Sequence, residues 1–438
     1  MSYSAKKFFL IPPQWNNLIY FSLFLSFHTF QKKNQLRKIM TVYIADKLPD
    51  EAISELEELG QTVTNNPGAS SSDLDDGLGD ANVLIVRSTV VSKTCIQNSP
   101  NLSLIVRAGA GVNTIDIEAA SNLGIYVANC PGKNAIAVAE LTMGLIISLD
   151  RYLGDNVVDF KDGQWNKAAF SKADGLYGKV LGVVGVGQIG SEVITRDKAF
   201  GKPVIAWSHS LTNEEAEEMN IKRAESIEEV ASKCDILSVH LAINDETKGI
   251  ISKEILAKLK DGAYFINTSR AGIVDEDALF NELRSGRIKA GLDVISNEPE
   301  FKQGEFTSRF RDLDNVYVSH HIGASTKQAQ LAVASDAVNI VRGYVQEGQV
   351  RNWLNRCEHT DAPWQLVVRH YDKPGVIANV MNELKEADIN AQELTNVIFE
   401  GKQTACCTIQ LDAEPSSEIM KSIRTRQDEV ISATLIQL

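Results

Sequence analysis

The six residues Gly185-Val-Gly187-Gln188-Ile189-Gly190 follow an apolar run at 180–184 and lead into helical patterning at 191–200. In that setting each glycine has its own use. Gly185 allows a tight turn, Gly187 lets backbone approach a pyrophosphate, and Gly190 permits close helix–strand packing. Gln188 and Ile189 complete a loop whose free helix N-terminal N–H groups suit an anion. The chemistry indicated is dinucleotide binding. A fold selecting the unphosphorylated ribose usually carries Asp or Glu about 20 residues further on. Here the second strand runs into Trp207-Ser208-His209, and Ser208 holds that place. A serine bonds a ribose hydroxyl without repelling a 2′-phosphate, and no arginine stands beside it. NAD is the expected cofactor, with NADP left open.

Three segments downstream carry further reactive groups: Asn267-Thr268-Ser269-Arg270, Gly291-Leu-Asp293 with Glu298-Pro beyond it, and Val318-Ser-His320-His321-Ile-Gly323-Ala324. Each lies just past a strand-like run, and in open α/β sheets ligands collect at C-terminal strand ends. Upstream, Val86-Arg87-Ser88 and Val106-Arg107-Ala-Gly109 follow strand-like runs in the same way. Two arginines beyond Arg270 suit a substrate with a phosphate as well as a carboxylate.

Such placement requires strands alternating with helices. From residue 41 the apolar runs 42–45, 83–86 and 104–106 are short and continuous, with an amphipathic stretch at 50–59, as expected for a parallel sheet covered on both faces. A long apolar helix is expected over 134–153. A second series begins at 179, with strands expected at 180–184, 204–206, 236–239, 264–266, 289–294 and 316–318. That rhythm fits a doubly wound, Rossmann-like fold. The helix expected at 327–345 packs back on the first sheet. The tail reads strand 365–371, helix 374–387, hairpin strands 393–399 and 404–411, helix 416–424 and strand 430–438, a ferredoxin-like βαββαβ unit. The expected division is a leader at 1–39, a substrate-side domain at 40–138 with 326–350, a dinucleotide domain at 139–325, a linker at 351–364 and a tail domain at 365–438.

Net charge is −13 over 438 residues, yet residues 1–39 hold six cations and no acid, leaving −19 on the remainder. A body that acidic repels phosphate backbones, which argues against nucleic-acid binding. An anionic substrate needs local arginines to override that field. The six cysteines show neither C-x-x-C pairs nor metal-ligand spacing, so reduced thiols and no metal are expected. The apolar run at 18–27 is shorter than a membrane span. It reads as an organelle-targeting extension, a weak signal peptide or an unused upstream start. The last is favoured because Met40 is followed at once by strand-like sequence. No membrane association is expected, and the location is cytoplasmic, or organellar if the leader is a transit peptide.

Taken together, the glycine loop and the three downstream segments resemble the D-isomer-specific 2-hydroxyacid dehydrogenase family over roughly residues 41–350. The resemblance implies that Arg270 grips the substrate's carboxylate and carbonyl, that His321 takes the hydroxyl proton, and that Glu298 holds the imidazole. It implies that Asp293 holds the nicotinamide amide, with Thr268, Ser269, Gly323 and Ala324 also on the cofactor. His320 stands one position before the family's His-Ile-Gly, so the base falls to His321. Arg87, Ser88, Arg107 and Gly109 resemble the substrate-side positions of the family's phosphoglycerate-oxidising branch, which serves serine biosynthesis. Asn113-Thr114 departs from it, since relatives usually have an acid and an amide there. Glyoxylate, hydroxypyruvate and D-lactate remain alternative substrates, and a dinucleotide-sensing binding protein is the alternative from another class.

In the tail, His370-Tyr-Asp372-Lys-Pro-Gly375 with Asp388-Ile-Asn390 resembles the ACT regulatory domain. That implies L-serine as effector, held between His370 and Asp372 of one copy and Asn390 of its mate, although an amide is common where Asp372 stands. The family resemblance also implies a homodimer or homotetramer.

Overall fold

The computed structural model describes residues 39–299, 304–357 and 360–438, so the leader lies outside the described residues. The first sheet comprises β1 (Thr41–Ile44), β2 (Thr62–Asn65), β3 (Val83–Val86), β4 (Leu104–Arg107) and β5 (Tyr126–Asn129), ordered β2-β1-β3-β4-β5 and wholly parallel. Every side chain of β3 is buried, as its unbroken apolar run requires for a strand covered on both faces. β2 escapes the sequence reading because its Thr-Val-Thr-Asn is a mostly exposed edge strand with Val63 as its one apolar residue, too little for a strand pattern.

One core on this sheet joins Val42, Ile44, Val83 and Leu104 to Val333, Ala337, Val338 and Val341 of the helix Lys327–Glu347. That helix therefore does pack back on the first sheet. Residues 352–355 are also anchored there: Leu354 N–H donates to Val127 O and the Asn355 side-chain oxygen accepts from Val127 N–H. The free connection is therefore shorter than the expected 351–364.

The second sheet has seven parallel strands rather than six. They are β6 (Leu181–Val184), β7 (Val204–Trp207), β8 (Lys222–Arg223), β9 (Ile236–Val239), β10 (Tyr264–Asn267), β11 (Lys289–Leu292) and β12 (Val316–Val318), ordered β12-β11-β10-β9-β6-β7-β8. The additional β8 is two cationic residues at the sheet edge, too short and polar to carry a strand pattern. β11 stops at Leu292, two residues before the expected end. The helix Ala135–Arg151 closes one face through Ala139, Met143, Ile146 and Leu149.

Residues from Arg356 onward form a second compact unit. Its strands β13 (Trp364–Tyr371), β14 (Ala391–Ile398), β15 (Thr404–Leu411) and β16 (Val430–Gln437) make an antiparallel sheet ordered β14-β15-β13-β16. The helices Val376–Glu386 and Ser417–Thr425 cover one face, burying Val380, Leu384, Met420 and Ile423 against Leu366, Val368 and Ile409. This is the expected βαββαβ arrangement. Among the described residues no helix is long and apolar enough to cross a membrane.

Candidate active site

Both parallel sheets reverse their winding direction at one point, and there a crevice opens beyond the strand ends. In the second sheet that point lies between β6 and β9. Gly185, just after β6, has φ +98°, and a Cβ on it would lie 2.7 Å from His240 O. A Cβ on Gly190 would lie 2.1 Å from Gly185 O, so only glycine lets the helix Gln188–Lys198 approach its strand this closely. A Cβ on Gly187, by contrast, would meet nothing within 4 Å, and no side chain caps that helix. Bare N–H groups beside open space fit a dinucleotide's pyrophosphate.

The cleft has two chambers. The larger, of about 670 Å³, is lined by Gly187, Gln188, Ile189, Thr268, Ser269, Arg270, Asp293, His321, Gly323 and Ala324, with Arg107 and Asn113 from the first sheet's side. The smaller, of about 390 Å³, is lined by Arg87, Ser88, Arg107, Gly109 and Lys47, and shares Arg107, His321 and Ala324 with the first. Ser208 follows β7 outside these walls. It is adjacent to the glycine loop through the bond from Gly185 N–H to Trp207 O, 2.8 Å.

β10, β11 and β12 are neighbours in register, so the residues after them arrive side by side. Asn267 is buried and builds the turn after β10. Its side-chain oxygen accepts from Ser269 N–H and Oγ (3.0 and 2.7 Å), and its amide donates to Arg270 O (3.0 Å). Arg270 then lies across the cleft against Gly111, where a Cβ would sit 2.4 Å from its Nη2. Asp293, after β11, accepts from Ser319 Oγ (2.6 Å), Ile322 N–H (2.9 Å) and Gly323 N–H (2.8 Å). In this structure its carboxylate organises the turn that presents His321. His321 itself is left-handed at φ +52°, held by its N–H to Asp293 O. Its Nδ1 stands 2.7 Å from Glu298 Oε2. His320 is exposed and lines neither chamber.

The first sheet contributes cations. A Cβ on Gly109 would sit 1.4 Å from Arg107 Nη1, so the guanidinium lies directly on that glycine. Burial, then the charges of Arg270 and Arg87, bring the Arg107 pKa down to about 10, and its Nε is buried without a partner. Asp46 gathers the loop after β3, accepting from the N–H groups of Arg87 (2.7 Å), Ser88 (2.9 Å) and Thr89 (3.0 Å) and from Ser88 Oγ (2.9 Å). Burial works to raise its pKa, but those donors outweigh it and hold the carboxyl below its ordinary value. The Ser88 proton is thus committed to Asp46.

Asp46, Lys47 and His240 are not singled out by the sequence reading, although Lys47 and His240 follow strands β1 and β9 and the strand-end rule reaches both. His240 is half-buried in the wall of the cofactor-side chamber, and desolvation of its ring brings its pKa down to about 4. Its Nε2 lies 2.8 Å from Ser238 Oγ.

Within one chain's tail, His370 and Asp372 lie at one end of the sheet and Asn390 at the other. His370 is buried, with Nδ1 on Tyr371 O (2.8 Å) and Nε2 on Asn396 Oδ1 (3.1 Å). Asp372 and Asn390 are exposed. His370 pairs with Ala405, whereas Asn390 precedes Ala391, which pairs with Leu411. The strand rise puts those two ends of the sheet about 20 Å apart.

Residues 143–323 match the model of the "D-isomer specific 2-hydroxyacid dehydrogenase, NAD binding domain". The chain is 38% identical over 365 residues to a D-3-phosphoglycerate dehydrogenase of Methanocaldococcus jannaschii, covering 81% of this chain and 67% of that one. It is 36% identical over 299 residues to a hydroxypyruvate reductase of Thermotoga maritima, covering 68% of this chain and 95% of that one. The chain spans about two thirds of the length of the curated phosphoglycerate dehydrogenases it matches. Among solved structures, the NAD-bound 3-phosphoglycerate dehydrogenase of Entamoeba histolytica aligns with a TM-score of 0.61 at 26% identity, covering 73% of this chain and 99% of that one. These similarities accompany a glycine loop at one switch point, a histidine–carboxylate pair and a facing arginine in this chain. The chain belongs to the D-isomer specific 2-hydroxyacid dehydrogenases and carries that family's NAD-binding domain.

Proposed function

We propose that the protein oxidises D-3-phosphoglycerate to 3-phosphohydroxypyruvate, the entry to phosphorylated serine biosynthesis. One observation carries the choice of substrate. Arg87, Arg107 and Arg270 converge on one cleft in a chain of net charge −13, and among the described residues none of them forms an ion pair. Like charges held this close are costly unless the ligand is a multiple anion. A carboxylate and a phosphate on one small molecule meet that need.

Gly185–Gly190, Thr268, Ser269, Asp293, Gly323 and Ala324 would hold the dinucleotide, with Ser208 at the ribose. When bound, NAD supplies the hydride acceptor. Arg270 orients the substrate by a forked contact to its carboxylate and C2 oxygen. His321 takes the hydroxyl proton as the C2–H bond breaks, and Glu298 holds the imidazole and offsets its gained charge. The Arg107–Gly109 and Arg87–Ser88 loops seat the phosphate. The substrate-side domain is then the first sheet with the helix Lys327–Glu347, and the dinucleotide domain is the second sheet. The His321–Glu298 pair disfavours a dinucleotide sensor, since sensing requires no proton acceptor.

The tail is proposed as an ACT-type regulatory unit taking L-serine. The separation of His370 and Asp372 from Asn390 supports a site completed by a second copy, with Asp372 of one and Asn390 of the other. A homo-oligomer is supported independently by the helix Leu153–Lys161, which buries none of its residues and leaves Phe160 71% exposed. Cys95, Cys130, Cys234 and Cys407 are buried without forming disulfides, which suits a reducing, cytoplasmic setting.

Steady-state oxidation of D-3-phosphoglycerate, D-glycerate and D-lactate, each with NAD and NADP, tests the proposal. Highest kcat/KM on the phosphorylated acid is expected. Faster turnover of either unphosphorylated acid would assign the protein to another branch of the family.

A further inference from the structure

In the first sheet the winding reverses between β1 and β3, adjacent parallel strands in which Ile44 pairs with Ile85. Lys47 follows one of these strands and Arg87 the other, so the two cations stand on the two lips of that switch point. Arg107 ends β4, the next strand across. All three line the 390 Å³ chamber with Ser88, Gln330 and His321.

Asp46 stands immediately before Lys47, and its carboxylate is spent on the N–H groups of Arg87, Ser88 and Thr89 and on the Ser88 hydroxyl. This has two consequences. The acid nearest in sequence does not neutralise Lys47, and the 46–47 backbone is tied to the 87–89 loop, so Lys47 and Arg87 are presented as one unit. Among the described residues Lys47 forms no ion pair.

We propose that Lys47 is the third cation of the distal anion pocket and a specificity-determining residue for a phosphorylated 2-hydroxy acid. This rests on the phosphoglycerate reading. Arg87 and Arg107 provide rigid forks, whereas the ammonium of Lys47 is a compact charge on a flexible stem that can follow a phosphate. Lys47 is exposed, so its contribution is screened by salt and smaller than that of a buried arginine. It acts on the end of the substrate remote from the reacting carbon. Its interaction is therefore the same before and during hydride removal, and its loss appears in KM rather than kcat.

The test compares wild type, K47A and K47R as full chains, using D-3-phosphoglycerate and D-glycerate with NAD at low and high salt. Thermal melting and NAD binding by fluorescence serve as controls. K47A is expected to raise the KM for phosphoglycerate by about two- to fivefold, with kcat unchanged within error. It should flatten the salt dependence of kcat/KM on that substrate, and K47R should recover most of the loss. D-Glycerate kinetics should follow wild type. If wild type prefers the phosphorylated acid but K47A affects both substrates equally, or neither, the role of Lys47 is overturned alone. If wild type shows no preference for the phosphorylated acid, the substrate reading falls and the role of Lys47 with it.

Discussion

At His321 an imidazole is held from two directions, by Glu298 at Nδ1 and by the Asp293-stapled turn beneath it. H321A is expected to lower kcat by about 10²–10⁴-fold with NAD affinity near wild type, the usual range for general acid–base help. H320A should be mild, and the reverse order would move the base to His320. Arg107 is a different kind of residue, because the fold bears the cost of burying it among like charges. R107M is expected to melt no lower than wild type, while kcat/KM for phosphoglycerate falls by the loss of a contact worth about 1.5–3 kcal/mol. D-Glycerate should lose less. A lower melting temperature with equal loss on both substrates would make Arg107 a structural residue.

Asp46 makes a pH prediction. Its folded pKa lies below the unfolded value, so its stabilisation is full above the ordinary carboxylate range and is lost as pH falls through that range toward the folded pKa. D46N is expected to cost about 1–3 kcal/mol at neutral pH. The difference in denaturation from wild type should close below roughly pH 4. A gap that does not change with pH would locate the effect elsewhere.

Among elements, the parallel strands act as a register for chemistry. β10, β11 and β12 pair in step, so residues separated by dozens of positions in the chain arrive at one rim. The same holds for β1, β3 and β4 on the facing side. β7 positions Ser208 through its neighbour β6, whose glycine loop bonds Trp207 O. S208D at that strand end is expected to sharpen preference for NAD, since a carboxylate can bond both ribose hydroxyls and repels a 2′-phosphate. The ratio of kcat/KM values with the two cofactors reads this directly. An unchanged ratio would mean that another residue reads the ribose.

For the whole molecule, the division at Asn355 and Arg356 separates every residue assigned to chemistry from the tail. A chain ending at residue 357 is expected to keep much of its turnover and lose inhibition by L-serine. Coupling between separate sites is typically ~1–3 kcal/mol, enough for about 5–150-fold in affinity. If wild type is not inhibited by serine, or if the truncated chain retains that inhibition, the proposed role of the tail is wrong.

The glycine loop, the strand-end placement of Arg270, Asp293 and His321, and the alternation of both parallel sheets were legible in the residues. They depend on local rules: turn geometry, buried apolar runs and the period of a helix. The βαββαβ tail was legible for the same reason. What was not legible had no local signature. β2 and β8 are polar edge strands held by one neighbour each. Asp46 looks like any acid after a strand until the fold brings three N–H groups from residues 87–89 onto it. Lys47 reads as a surface lysine until β1 and β3 are seen to flank a switch point. Sequence alone determined which groups could do chemistry. Only tertiary structure decided which of them share a cleft, because strand order, unlike strand pattern, is a property of contacts between segments distant along the chain.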